Sequence, residues 1–217
     1  MSTTAAAKTA SLGTRAKRNS VSQIKIVEVA TQMFSEKGYA AISIRDIAHA
    51  CDVTIPSIYH YFSDKAGLYD RCCAHAFRHV SAILHQKLEA PGTAQQRLKR
   101  FTVALCDLIL NEHQFRRILQ REMLLPQSRR FRSLTENHFT GEYKMLVPAV
   151  AEITDKRSAP ELAFSIYAMV FGLISLETIA QFAGAKIEMH QSAQKLADYV
   201  LKLLFPDQRW SRVCSKP

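Results

Sequence analysis

Thr54, Ser57, Tyr59, His60 and Tyr61 are five hydrogen-bonding side chains within one eight-residue stretch. That stretch and its next residue offer only Ile58 and Phe62 at a spacing that points inward together. Hydroxyls and an imidazole set out this way have no paired nucleophile or acid beside them, so they are equipped to hydrogen-bond to a surface. Elsewhere the chemistry is thinner. Cys72, His75 and His79 stand at i, i+3 and i+7, a metal-ligand spacing in principle, but no fourth ligand is evident and neither a metal nor a cofactor is expected. Glu122 lies seven residues from Phe115, four from Ile118 and three from Leu119, on the apolar face of a helix. A carboxylate there needs a partner: either a neighbouring Arg or His, or the donor of a ligand. Arg116, Arg117, Arg121, Arg129, Arg130 and Arg132 crowd the same region, as a solvated face or as an attractor for an anion such as an acyl-thioester of a nucleotide-bearing carrier. No Gly-rich phosphate loop and no nucleophile–base pair is present, so an enzyme is not expected.

The elements that hold the hydroxyl-rich stretch can be read from local signals. Ser43, three residues before Asp46, begins a capping box, and Ile44, Ile47, Ala48 and Cys51 come after it at helical spacing. Thr54 can cap a second helix, with Pro56 in its first turn, where a missing N–H costs nothing. That second helix, Ile55 to about Tyr61, is too short and polar to be core. Two short helices joined by a tight turn make a helix-turn-helix, whose second helix would enter a DNA major groove. Before it, Ile24, Val27, Ala30, Thr31 and Phe34 make a helical stripe over about 21–37, flanked by Ile26 and Met33 and stopped by Gly38.

The 217 residues carry a formal net charge of +10, which favours a polyanionic partner, and 47% hydrophobic residues, enough for a substantial core. Five cysteines without a paired C-x-x-C pattern point to a reducing cytoplasm. No signal peptide or membrane span is expected. Residues 1–20, basic and acid-free, read either as a solvated tail or as an arm on DNA. A long helix over about 63–88 is shared between the helix-turn-helix and the C-terminal two thirds of the chain. Further helices are expected over about 93–111, 114–125, 129–154 with a kink at Pro148, 160–182, and 190–205. The expected fold is all-α, with about nine helices: a disordered basic arm (1–20), a helix-turn-helix domain (21–66) and a helical ligand-binding and dimerisation domain (67–217).

With these residues in view, the chain resembles the TetR family of bacterial transcriptional regulators. The resemblance rests on Ala30 and Phe34, Gly38-Tyr39, Ser43-Ile44, Ile47-Ala48, Val53-Thr54, Ile58-Tyr59, Tyr61-Phe62, Lys65 and Leu68, over about 45 residues. It departs from the family at Cys51, where Gly is frequent, and at Ile55-Pro56, where a Lys-Gly pair is frequent. The resemblance implies that Lys65 grips a phosphate at a helix N-terminus, and that Tyr59, Tyr61 and Ser43 with its backbone N–H contact phosphates. It further implies that Thr54, Ser57 and His60 reach base edges, with Arg45 on a guanine or a phosphate; Ile55, at the departure, reads either as a contact to a thymine methyl or as a plain structural choice. It implies a homodimer reading a palindromic operator, with a seam from the last two helices: Phe164, Ala168, Phe171, Gly172, Leu176 and Ile179 on one, Leu196, Tyr199, Val200 and Leu203 on the other. Tyr167 lies on the first of these faces. A small-molecule pocket would be lined by Phe101, Leu105, Glu122, Met123, Phe139, Tyr143 and Tyr167. The expected function is a repressor released from its operator by a small effector. The alternative is an architectural or protein-docking DNA-binding protein without one.

Overall fold

A computed structural model describes residues 23–176, 182–184 and 192–210, and every regular element among them is α-helical. The expected basic arm and Ile179 lie outside the described residues. The chain divides into two compact units between Ala76 and Phe77, inside a helix.

The N-terminal unit holds α1 (23–37), α2 (Ile44–Cys51), α3 (Ile55–Tyr61) and the first part of α4 (Lys65–Glu89). Its core is Ile26, Val27, Ala30 and Phe34 from α1, Ile47, Ala48 and Cys51 from α2, Ile58 from α3, then Phe62, Leu68 and Cys72. Full burial of a side chain such as Phe34 is worth about 1.5–3 kcal/mol. The spacing puts Ile24 on the α1 stripe and Ile26 at its flank. The structure reverses them: Ile24 is exposed and Ile26 buried. Periodicity defines a stripe, and packing decides which of its edges is covered. Phe34, Tyr39 and Tyr69 form a ring cluster, with centroids 5.0 Å apart for Phe34–Tyr69 and Tyr39–Tyr69. Gly38 closes α1 at φ 84°, and Asp52, not position 51, takes the left-handed residue after α2 at φ 56°.

The C-terminal unit holds the rest of α4, then α5 (Ala94–Asn111), α6 (His113–Met123), α7 (Arg129–His138), α8 (Thr140–Ala151), α9 (Ala159–Ser175) and α10 (Ala193–Leu204). α5 is central: α6, α8, α9 and α10 all pack on it. Thr93 and Gln96 close a capping box at its start. The single helix expected over 129–154 is two, broken at Phe139 (φ −116°). Thr140 and Gly141 are weak helix formers, and the Thr140 hydroxyl donates to the Thr135 carbonyl (3.2 Å) across the break. α9 ends at Ser175, earlier than the expected Phe182. Lys99 is buried in α5 and pairs with Asp198 of α10 at 2.8 Å.

Candidate functional site

α2 and α3 are each fixed at the N-terminus by their own side chains. Ser43 Oγ accepts from the Asp46 N–H (3.2 Å) and donates to Asp46 Oδ2 (2.7 Å), while the Ser43 N–H donates to the same carboxylate oxygen (2.8 Å). These hydrogen bonds hold the Asp46 carboxyl below the usual carboxylate range. The Ser43 N–H expected to serve a phosphate is therefore engaged, and the amides of Ile44 and Arg45 are the ones without an intrahelical acceptor. Thr54 Oγ1 caps α3 from the Ser57 N–H (3.4 Å) and lies 2.8 Å from Ser57 Oγ. Lys25 Nζ reaches the Cys51 carbonyl (3.5 Å) at the end of α2.

With Ile58 and Phe62 buried, α3 turns Thr54, Pro56, Tyr59 and His60 outward and leaves Ile55, Ser57 and Tyr61 half-buried. The Tyr61 ring is braced between His60 (5.0 Å) and Phe62 (6.3 Å). Arg45 is exposed on α2. Lys65 opens α4 with Nζ 4.2 Å over the Tyr39 ring, while Asp64 Oδ1 accepts the Gly67 N–H (2.7 Å). An acidic group thus already answers the helix end beside the lysine. Ser43, Arg45, Thr54, Ser57, Tyr59, His60, Tyr61 and Lys65 share one small unit. Cys72 does not converge with His75 and His79: its Sγ donates to the Val27 carbonyl (3.7 Å) in the core, burial pushes its thiol up to about 12, and both histidines are exposed. Among the described residues no three His, Cys, Asp or Glu side chains are placed to hold a metal ion.

In the C-terminal unit the expected ligand-lining residues scatter. Phe101 and Leu105 are fully buried in α5, and the Tyr167 ring meets Phe101 edge-on at 5.9 Å. The Phe139 ring packs on Phe77 (5.6 Å), and the Tyr143 hydroxyl donates to the Pro160 carbonyl (3.1 Å). Met123 is 45% exposed at the end of α6 and lines no interior. Glu122 takes the first of its two alternatives: Arg130 Nε donates to its Oε1 at 3.2 Å. Arg116 spans the Ile109 and Leu110 carbonyls at the end of α5, so two of the six crowded arginines serve the fold. Arg117, Arg121, Arg129 and Arg132 are exposed.

The sequence reading missed a second buried carboxylate. Glu142 on α8 has a side chain only 7% exposed, and its Oε1 stands 3.7 Å from His85 Nε2 of α4. Glu142 Oε2, His85 Nε2 and the Tyr167 hydroxyl are buried with no hydrogen-bond partner among the described residues. Burial first, then the charge of Glu142, raises the Tyr167 phenol far above its ordinary value. The signal was present: Phe139, Glu142, Tyr143 and Leu146 recur at i, i+3, i+4 and i+7, the same test that singled out Glu122.

The seam residues divide. Phe164 (64% exposed), Ala168, Leu176, Tyr199 and Leu203 (54% exposed) face outward, and Phe171 and Gly172 are half-buried. Leu196 and Val200 are fully buried, since α10 packs on α5 and α9 of its own chain, so they are core and cannot meet a partner.

The capped α2–α3 pair with its outward polar face defines a helix-turn-helix DNA-binding protein carrying a separate helical unit. Residues 26–72 match the model of the bacterial regulatory proteins of the tetR family, so this stretch is a DNA-binding domain of the TetR kind. It is 28% identical over 103 residues, 46% of this chain and 50% of the other, to the probable HTH-type transcriptional regulator YttP of Bacillus subtilis. It is 36% identical over 52 residues, 23% of this chain and 28% of the other, to the biofilm operon icaADBC HTH-type negative transcriptional regulator IcaR of Staphylococcus aureus. The chain thus spans about half or less of the length of these curated relatives. The transcriptional regulator FadR of Bacillus subtilis, solved in complex with stearoyl-CoA, shares the fold at a TM-score of 0.67 and 18% identity, over 86% of this chain and 99% of that one. Among the described residues no helix is long and apolar enough to cross a membrane.

Proposed function

We propose that the protein is a cytoplasmic, homodimeric transcriptional repressor that binds a palindromic DNA operator through α3 and leaves it when a small molecule binds the C-terminal unit. The observation that carries this is the TetR-family head itself: a short helix capped by Thr54 that buries Ile58 and turns Thr54, Tyr59 and His60 outward. In this reading Thr54, Ser57 and His60 reach base edges, and Ile55 takes a thymine methyl. Tyr59, Tyr61, Arg45 and Lys65 hold phosphates, helped by the open amides of Ile44 and Arg45. The net charge of +10 supports the electrostatic part of the grip.

A short head reads few bases, so two are needed, with half-sites about 34–36 Å apart. The exposed apolar side chains Phe164, Leu176, Tyr199 and Leu203 support a seam built from α9 and α10. The negative regulation in the name of IcaR and the acyl-CoA bound to FadR support repression and an effector. An effector releases DNA only to the extent that it binds the DNA-incompetent state better.

The test is a mobility shift on the DNA upstream of the gene, across a salt series. Lys65→Ala lowers the slope of log affinity against log salt by about one, and Tyr59→Phe weakens binding with the slope kept. Unchanged affinity and slope in both variants would remove these two residues from the interface.

A further inference from the structure

Buried charge in the C-terminal unit is answered almost everywhere. Lys99 has Asp198 at 2.8 Å, and Glu122 has Arg130 at 3.2 Å. A looser pair joins α4 to α8, His85 with Glu142, and Tyr167 of α9 carries a buried hydroxyl without a hydrogen-bond partner among the described residues. Glu142 Oε1 and His85 Nε2 stand 3.7 Å apart, beyond a sound hydrogen bond, and Oε2 has no hydrogen-bond partner among the described residues. Burial, and after it the charge of Glu142, raises the Tyr167 phenol, whose hydroxyl has no hydrogen-bond partner among the described residues. Beside these groups the interior is apolar, with the fully buried Phe101 ring against Tyr167 and Leu146 one turn along α8 from Glu142. A carboxylate held in apolar surroundings with one oxygen open is a costly arrangement for folding alone.

We infer that His85, Glu142 and Tyr167 form the recognition point for the effector, and that the effector is an apolar molecule with a cationic, hydrogen-bond-donating head, a protonated amine. The inference rests on the effector proposed for the C-terminal unit. The ammonium donates to Glu142 Oε2 and offsets its charge, and Tyr167 and His85 take its remaining donors. An uncharged alcohol fills one hydrogen bond and leaves the charge unanswered. A carboxylate sets like charge against Glu142 and is rejected. The tail lies along the Phe101 side.

The test is calorimetric titration of the full-length protein, free of DNA, with three probes of one shape: 2-naphthylmethylamine, 2-naphthylmethanol and 2-naphthoate. The amine binds saturably and at least tenfold tighter than the alcohol, and the naphthoate does not bind. Glu142→Gln lowers amine affinity at least tenfold and Tyr167→Phe several-fold, with helical circular dichroism unchanged. The melting midpoint of unliganded Glu142→Gln stays level or rises, because the substitution removes a buried charge that has only the loose His85 contact at 3.7 Å. Naphthoate binding as well as the amine, Glu142→Gln keeping amine affinity, a midpoint that falls in step with affinity, or no saturable amine binding overturns the inference. The mobility shift of the unliganded protein is read separately. Loss of DNA binding there refutes the regulator reading and leaves the titration standing.

Discussion

The two units treat polar groups in opposite ways. In the N-terminal unit the polar groups at helix ends and in the core are closed locally: Ser43 with Asp46, Thr54 with Ser57, and Thr31 Oγ1 on the Val27 carbonyl at 2.6 Å. What the unit offers a partner, it offers on its outside. The C-terminal unit instead buries a carboxylate oxygen, an imidazole nitrogen and a phenol that have no hydrogen-bond partner among the described residues. A surface meant for DNA needs a rigid, self-sufficient scaffold, because water solvates its polar groups until the partner arrives. An interior meant for a small molecule must keep polar atoms open where water does not compensate them, and stability is lost in proportion.

The contrast can be tested by substitution. The largest effect is expected at Phe34→Ala, which removes a fully buried ring from the N-terminal core. It should cost about 3–5 kcal/mol in urea unfolding and abolish the mobility shift. A smaller and sharper comparison sets Thr31→Val against Tyr167→Phe. Each deletes one buried hydroxyl, but Thr31 has an acceptor at 2.6 Å and Tyr167 has none. Thr31→Val should lose about 1 kcal/mol, while Tyr167→Phe should melt at or above the parent temperature. Equal losses would erase the distinction between the units.

The smallest effect is expected at the α2 cap. Asp46 has its folded pKa depressed by Ser43, so its contribution is present above the ordinary value of 3.8 and is lost as pH falls through the lower folded value. Ser43→Ala weakens that dependence, because the backbone N–H of residue 43 still donates to Asp46, and the change is read as a flatter acid limb in thermal melts from about pH 5 to about pH 2.

The N-terminal unit was legible in the sequence because its determinants are local. The Ser43–Asp46 box, the Thr54 cap, the Gly38 stop and the inward pair Ile58 and Phe62 are all settled by residues three or four apart. The C-terminal unit was legible only as helices. Leu196 and Val200 read as partner-facing because an apolar helix face does not say which molecule covers it; only the docking of α10 on α5 and α9 does. The break at Phe139 needed the Thr140 side chain to compete with the backbone, which a stripe of apolar residues does not register. Glu142 shows a different failure: it met the rule that found Glu122, but no crowd of arginines drew attention to it. Its neighbours in space, His85 and Tyr167, are far from it along the chain.

The buried cysteines give each unit its own timer. Cys51, Cys72 and Cys73 are sealed in the N-terminal unit and Cys106 in the C-terminal one. Burial raises the thiols of Cys51, Cys72 and Cys106, so the reactive thiolate is scarce until the surrounding helices open. In a chain carrying Cys214→Ser, the rate at which an alkylating reagent labels Cys72 then measures how often the DNA-binding unit breathes. Labelling of Cys106 measures the same for the other unit. One peptide map taken over time, with and without a bound molecule, would report which of the two is quieted.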